Sequence, residues 1–344
     1  MIESKLSNIP EHQSEVRKSA KPINFENALR PANLDKYIGQ EKIKKNLKIL
    51  INAAKKRKEP IEHTLFYGGP GLGKTTLAYI IANEMDVSIK TSSGPAIEKP
   101  GDLAAILTSL QPNDILFIDE IHRLKTIIEE ILYSAMEDFA LDIIIGKGPS
   151  AKTMRLSLPK FTLIGATTKM SMLSSPLRDR FGSISHLKLY DIEEIQKIIH
   201  QSAEILKIRI NKEASLMLAK CSRQTPRIAN RLLRRVRDYA SIKDSTNIDL
   251  SIVDETLKAL GIDESGLDDT DKQLLKTIID KFNGGPVGLS TIAAATGEEK
   301  ETIEEVYEPF LIKMGFLERT QRGRRITQKA YQYLGLPHTI GLNF

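Results

Sequence analysis

Three observations predict an α/β fold class: a parallel sheet, then an all-helical segment, then a winged C-terminal segment. Short apolar runs alternate with helical stretches from about Asn24 to Tyr190. Strand-like runs cease over 191–262, and the rest carries a helix–turn–helix pattern ending in a basic hairpin. Strand–helix alternation argues a parallel sheet covered on both faces. At 344 residues, 41% hydrophobic and 27% charged, the chain has an ordinary globular profile with room for two or three domains.

In chain order, residues 1–22 are polar and read as a loosely ordered tail without the apolar core of a secretory signal. Strand candidates are HTLFY (63–67), VSIKT (87–91), DILFI (114–118), FTLIG (161–165) and SHLKLY (185–190). Helices such as KTTLAYIIANEM and TIIEEILYSAMEDF lie between them. In the second, Ile127, Ile128, Ile131, Leu132, Ala135, Met136 and Phe139 fall at helical spacing and predict one buried face. LDIIIGKGPSAKTMRLSLP (141–159) has two β-prone stretches around a Gly-Pro-Ser turn, the pattern of a hairpin. Residues 191–262 read as helices only, and the polar, Gly-containing DESGLDD (263–269) marks a boundary.

Beyond it come a helix (DKQLLKTIIDKF), the turn NGGPVG, and a short helix with Ser290 as its cap and Gly297 in the following turn. A longer helix with an acidic start leads into FLERTQRGRRIT, two short strands around a turn. The expected domains are therefore 23–190, 191–262 and 263–344.

The net charge of +6 and a pI near 9.1 permit a polyanionic partner. Cys221 is the single cysteine, which excludes an internal disulfide framework and a Cys-based zinc site and fits the cytoplasm. No apolar run reaches the roughly 18 residues of a membrane span, so no membrane role is expected.

Gly68-Gly69-Pro70-Gly71-Leu72-Gly73-Lys74-Thr75 matches G-x-x-x-x-G-K-[ST], directly after a strand and opening a helix. Its glycines let backbone N–H groups turn inward around phosphate oxygens, and the helix N-terminus adds partial positive charge. Lys74 supplies a full charge to the β and γ phosphates of ATP, and the Thr75 hydroxyl can ligate Mg2+. Asp119 and Glu120 end a predicted central strand on the edge where parallel sheets bind ligands. Alone, such a pair is as often a helix cap. Coupled to the phosphate loop, Asp119 is expected to hold the magnesium shell and Glu120 to orient or deprotonate water, so hydrolysis is expected.

In the C-terminal segment the second helix begins with Glu298, Glu299, Glu301, Glu304 and Glu305, a poor surface for a DNA groove. Arg319, Arg322, Arg324 and Arg325 crowd the hairpin turn, offset only by Glu318, and can grip phosphates without reading sequence. A solvated basic turn is the alternative on residues alone.

ALRPANLDKYIGQ, GPGLGKTT, LFIDEIHRL, GATTK, SSPLRDRFG, TPRIANRLLRR and FLERTQRGR, in this order, resemble the RuvB family of bacterial Holliday-junction branch-migration ATPases within the AAA+ superfamily. The resemblance covers roughly residues 24–337. It implies an AAA+ parallel sheet, a helical lid and a winged-helix domain. Nucleotide contacts then fall on Gly71, Leu72, Gly73, Lys74, Thr75 and Thr76, and adenine-side contacts on Leu29, Arg30, Tyr37 and Ile38. Glu137, Asp138, Phe139 and Tyr190 are placed near the nucleotide by the same resemblance. Thr168, or its neighbour Thr167, becomes the sensor of the γ-phosphate, and Arg227 a second sensor from the lid. Arg180, with Arg178 in reserve, becomes a finger into a neighbouring subunit's site, with Phe181 anchoring its segment. Arg319 and Arg324 match DNA-contacting positions.

The resemblance further implies a homohexameric ring on the duplex arms of Holliday junctions, contact with RuvA through the 141–159 hairpin, and RuvC at resolution. The competing readings are a clamp-loader subunit and a nucleotide-gated DNA-binding scaffold. The winged segment and the hairpin argue against the first, the intact acidic pair against the second.

Overall fold

The computed structural model describes residues 28–145 and 152–337. The tail at 1–22 and the Gly-Pro-Ser turn of the hairpin lie outside them. The described residues fall into two units, divided between Arg30 and Pro31. Of the first, Ala28, Leu29 and Arg30 are described.

The second unit opens with α1 (Glu41–Arg57), β1 (Thr64–Tyr67), α2 (Lys74–Met85), β2 (Ile89–Ser93), α3 (Pro100–Thr108) and β3 (Ile115–Asp119). Then come α4 (Thr126–Glu137), the hairpin β4 (Ala140–Ile145) and β5 (Lys152–Ser157), β6 (Thr162–Thr167), α5 (Ser175–Asp179) and β7 (Ser183–His186). The sheet runs β2-β3-β6-β1-β7, every pairing parallel. Period-two alternation divides its side chains: Phe66, Ile115 and Phe117 face one core, Leu65, Leu116 and Ile118 the other. The first core holds α1 and α2, the second α3 and α4. Crossovers place β3, β6 and β1 side by side, so the segments leaving their carboxyl ends converge.

Continuous with the first core are α6 (Ile192–Ile205), α7 (Lys212–Cys221), α8 (Pro226–Ile242) and α9 (Leu250–Ala259). Asp191, Asn211 and Asp249 cap α6, α7 and α9 through side-chain bonds. This region is not helical throughout: β8 (Arg209–Ile210) pairs in parallel with β9 (Asn247–Ile248). Two residues are too few to show an alternation in sequence.

The third region comprises α10 (Asp269–Phe282), α11 (Leu289–Thr296), α12 (Lys300–Thr302), a π-helical turn (Ile303–Tyr307), α13 (Glu308–Lys313), the wing strands β10 (Leu317–Thr320) and β11 (Gly323–Ile326), and α14 (Gln328–Leu334), and all but α12 contribute to the third core. Arg223 ties this part to the helices before it, donating to Asp268 at 2.7 Å and to the buried Asp271, with its guanidinium 5.3 Å from the Phe310 ring.

Several expectations are corrected. Ile127 is 55% exposed, because a 100° step per residue cannot turn Ile127 and Ile128 to the same side, and Ile128, Leu132, Ala135 and Met136 take the core. The cap of α11 is Gly288, with no side-chain bond; Ser290 already lies inside the first turn. β7 ends at His186, so 187–190 is not strand, and the expected longer helix is interrupted by the π turn. Among the described residues no helix is long and apolar enough to cross a membrane.

Candidate functional site

The phosphate loop joins β1 to α2, and Gly68 N–H donates to the Thr167 carbonyl at 3.2 Å, locking the loop to the end of β6. Gly71 and Gly73 adopt φ of 77° and 100°, which side chains resist. A Cβ at Gly71 would lie 2.9 Å from Arg227 Cβ, and one at Gly73 2.8 Å from the Tyr37 hydroxyl. The Lys74 side chain curls back over the loop, donating to the carbonyls of Gly68 at 2.8 Å and Gly69 at 3.0 Å. Burial pulls its ammonium below the ordinary value, opposed by the charges of Asp119 and Glu120. Thr75 and Thr76 are half-buried in the first turn of α2.

Beneath the loop, Tyr37 and Tyr190 are both buried, with hydroxyls 2.8 Å apart. Tyr190 donates to the Leu72 carbonyl at 3.2 Å, and Tyr37 reaches the same oxygen at 3.5 Å. Burial pushes the Tyr190 phenol up to about 12, so both stay protonated donors. Ile38 is half-buried beside them, while Leu29 and Arg30 belong to the N-terminal unit. Arg227 N–H approaches the Gly71 carbonyl at 3.4 Å, and its exposed side chain stands at the start of α8 over the loop.

Asp119 ends β3 and accepts the Glu120 N–H at 3.0 Å. Glu120 takes a left-handed backbone (φ 48°), an uncommon conformation for a side-chain-bearing residue and one concentrated at functional sites. Its carboxylate accepts from the Thr168 hydroxyl at 3.3 Å and lies 3.2 Å from His122 Nδ1. Thr167 Oγ1 sits 2.9 Å from that same nitrogen and accepts the Lys169 N–H at 3.0 Å. The two threonines are thereby told apart: Thr167 is buried against His122, and Thr168 faces Glu120. His122 was not singled out in sequence. The signal was its place two residues after Glu120. Burial pulls its imidazole below the ordinary value, opposed by Glu120.

Among the described residues no cluster of three His, Cys, Asp or Glu could hold a metal. Thr75 and Asp119 offer one hydroxyl and one carboxylate. That sparse oxygen set suits a magnesium ion held mainly by phosphate oxygens and water, and suits no ion needing a full protein cage.

Arg180 follows α5, which Ser174 caps by accepting from Leu177 N–H, and Phe181 is buried as expected. The Arg180 guanidinium does not extend freely. It donates to the Pro176 carbonyl at 2.8 Å, pairs with Glu137 at 3.1 Å, and lies 4.5 Å from the Tyr133 ring centre. Tyr133 is held by Ser174 at 2.9 Å, which bonds the buried Glu129. Glu137 is thus the local partner of Arg180. Asp138 pairs with Arg155 at 2.6 Å, and Phe139 packs edge-on against Phe161. Arg178 bonds Ser175 at 3.3 Å.

The wing departs most from expectation. Glu318 does not act alone against the arginines. Arg319 donates to Glu308 at 2.7 Å and Glu304 at 3.1 Å, and Arg324 donates to Glu308 at 3.0 Å. Glu308 is 1% exposed. The acidic helix, dismissed as a DNA surface, folds against the wing and neutralises two of its arginines, while Arg325 pairs with Glu318. Arg322 is exposed at the turn, with no ion pair among the described residues.

The sequence matches three family models: the Holliday junction DNA helicase RuvB P-loop domain at 29–187, the RuvB AAA lid domain at 190–263, and the RuvB C-terminal winged helix domain at 264–335. Among solved structures it is similar to the Thermotoga maritima RuvB Holliday junction branch migration motor. The two are 49% identical with a TM-score of 0.82, over 90% of this chain and 99% of that one. A point mutant of the Thermotoga protein is 50% identical with a TM-score of 0.83, over 90% of this chain and 98% of that one.

Proposed function

This chain belongs to the RuvB family, and from that premise we propose that it is an ATP-driven motor that moves the duplex arms of Holliday junctions in recombination and repair. One observation carries the catalytic part. Lys74, the Asp119–Glu120 pair and Thr168 leave the carboxyl ends of three adjacent strands, with Arg227 above the loop. Lys74 and Arg227 would neutralise the phosphate oxygens of ATP while Glu120 orients the attacking water and accepts its proton. Thr75 and Asp119 would hold Mg2+, which when bound supplies charge neutralisation at the β and γ phosphates.

Arg180, set by Glu137 and Tyr133, serves as the finger reaching a neighbouring subunit's nucleotide in a homohexameric ring. Tyr37, Ile38 and Tyr190 form the base side of the site, the two tyrosines acting through Leu72. Arg322 is the freely available DNA contact of the wing, and Arg319 and Arg324 join it once they leave Glu304 and Glu308. The 141–159 hairpin receives RuvA, and RuvC acts at resolution. The family matches over the lid and winged-helix regions favour this reading over a clamp-loader subunit, and the intact acidic pair favours it over a non-hydrolysing scaffold.

The deciding experiment is ATP-driven separation of a synthetic four-way junction, with and without a RuvA partner. Glu120→Gln should bind ATP normally and turn it over about 100-fold more slowly. Wild-type protein that hydrolyses ATP but never separates the junction with the partner present would sink the motor assignment. Unchanged turnover in Glu120→Gln would sink the role of Glu120.

A further inference from the structure

We propose that Glu305, on the π-helical turn of the winged-helix domain, is a positioning residue for hydrolysis. It holds Lys169 and competes with Glu120 for the Thr168 hydroxyl, so that engagement of the wing by DNA phosphates is coupled to the state of Glu120. The inference rests on the function proposed above.

Glu305 pairs with Lys169 at 2.8 Å, both side chains less than one-third exposed. Its second oxygen lies 3.5 Å from the Thr168 hydroxyl, whose other carboxylate neighbour is Glu120 at 3.3 Å. A hydroxyl has one proton to donate, so the two carboxylates cannot both receive it. Lys169 adjoins Thr168 in the chain, and the ion pair therefore keeps Glu305 where the competition occurs. Lys74 and His122 also feel the charge of Glu305. The third domain thus enters the electrostatics of the phosphate site.

The same helical run faces the wing. Glu304 and Glu308 flank Glu305 in sequence and hold Arg319 and Arg324. If phosphates draw both arginines away, Glu308 is left as a buried carboxylate without its cations, which is costly. A shift of the helical run relieves that cost, and the run already departs from regular α-helix at 303–307, a kind of local irregularity frequent at functional sites. The shift loosens Glu305 from Lys169 and returns the Thr168 proton to Glu120. DNA-bound wing and fully engaged Glu120 then favour each other, and linkage requires the coupling to act in both directions.

The test compares full-length wild type, Glu305→Gln and Lys169→Gln. Duplex affinity is read by fluorescence anisotropy without nucleotide, and ATP turnover with and without duplex. Both variants should bind duplex more tightly, by about fivefold or more. Both should also raise DNA-free kcat with KM little changed, and shrink the stimulation by DNA. A helix held only for structure would not move affinity and kcat together in this way. DNA-free turnover and duplex affinity unchanged or lowered in both variants would overturn the inference. A wild type that neither binds duplex nor hydrolyses ATP would instead overturn the function on which it rests.

Discussion

The phosphate loop and the wing are both cationic, yet their charges are held in opposite ways. Lys74 is held by carbonyls five and six residues away in its own loop. Arg319 and Arg324 are held by Glu308, eleven and sixteen residues away on another element. A cation restrained by local backbone keeps its position whatever the neighbouring domains do. A cation restrained by a distant carboxylate is shared between its partner and any incoming phosphate, and its availability becomes a property of the fold. The first arrangement suits a fixed catalytic charge and the second a contact that is made and released.

The largest effect is expected where the comparison is starkest. Lys74→Ala should abolish measurable ATP turnover, a loss of about 1000-fold or more, because no other side chain supplies a full charge inside the loop. Its thermal midpoint should stay close to wild type, since the lost bonds run only to two carbonyls of its own loop. A large drop in the midpoint would show that Lys74 also braces the loop, erasing the contrast with the wing.

Arg180 stands between the two cases, held by one backbone carbonyl and one distant carboxylate. Arg180→Ala should lower turnover by about 100-fold or more while leaving nucleotide affinity nearly unchanged. Mixed with Lys74→Ala subunits, it should regain activity, because some interfaces then join an intact loop to an intact finger. No recovery in mixed assemblies would count against action on a neighbour's nucleotide.

Within the wing the expected effects are smaller and divide by partner. Arg324→Ala should destabilise the winged-helix domain by about 3 kcal/mol, because Glu308 is nearly inaccessible and loses a principal counterion. Arg322→Ala should change stability by less than about 0.5 kcal/mol. It should weaken duplex binding equally across sequences and reduce the salt slope by about one. Denaturant melts and anisotropy titrations across salt separate the two, and a stable Arg324→Ala would show that Glu308 finds another partner.

The same contrast explains what could be read from sequence. The loop, the acidic pair and the order of sheet segments were legible because each is set by a short spacing or by period-two alternation. The partners of Arg319 and Arg324 were not, because no local pattern brings an acidic helix onto a hairpin; only the third core does. His122 and Lys169 stood beside recognisable motifs, but the role of His122 depends on the adjacency of β3 and β6 and that of Lys169 on the third domain, neither of which strand prediction provides. Thr167 ends β6 and is buried against His122, whereas Thr168 lies just past the strand and meets Glu120, a division that depends on the same adjacency.

The smallest predicted effect concerns a histidine held by backbone groups, as Lys74 is, but by groups distant in sequence, and carrying no charge. His63 Nδ1 accepts the Leu163 N–H at 2.8 Å, so Nε2 carries the proton and donates to the Met136 carbonyl at 3.1 Å. A second proton on Nδ1 would place two donors face to face, and burial disfavours the cation, so the folded-state value lies below the ordinary 6.5. The unfolded chain therefore binds more protons below that value. The contribution of His63 to stability is complete above about pH 6.5 and declines as the pH falls. His122, also lowered by burial, adds in the same direction. Thermal midpoints should fall from pH 7 to pH 5, and the fall should be shallower in His63→Gln, whose amide can mimic both bonds without titrating. An equal fall in the variant would move the acid sensitivity away from His63, toward His122.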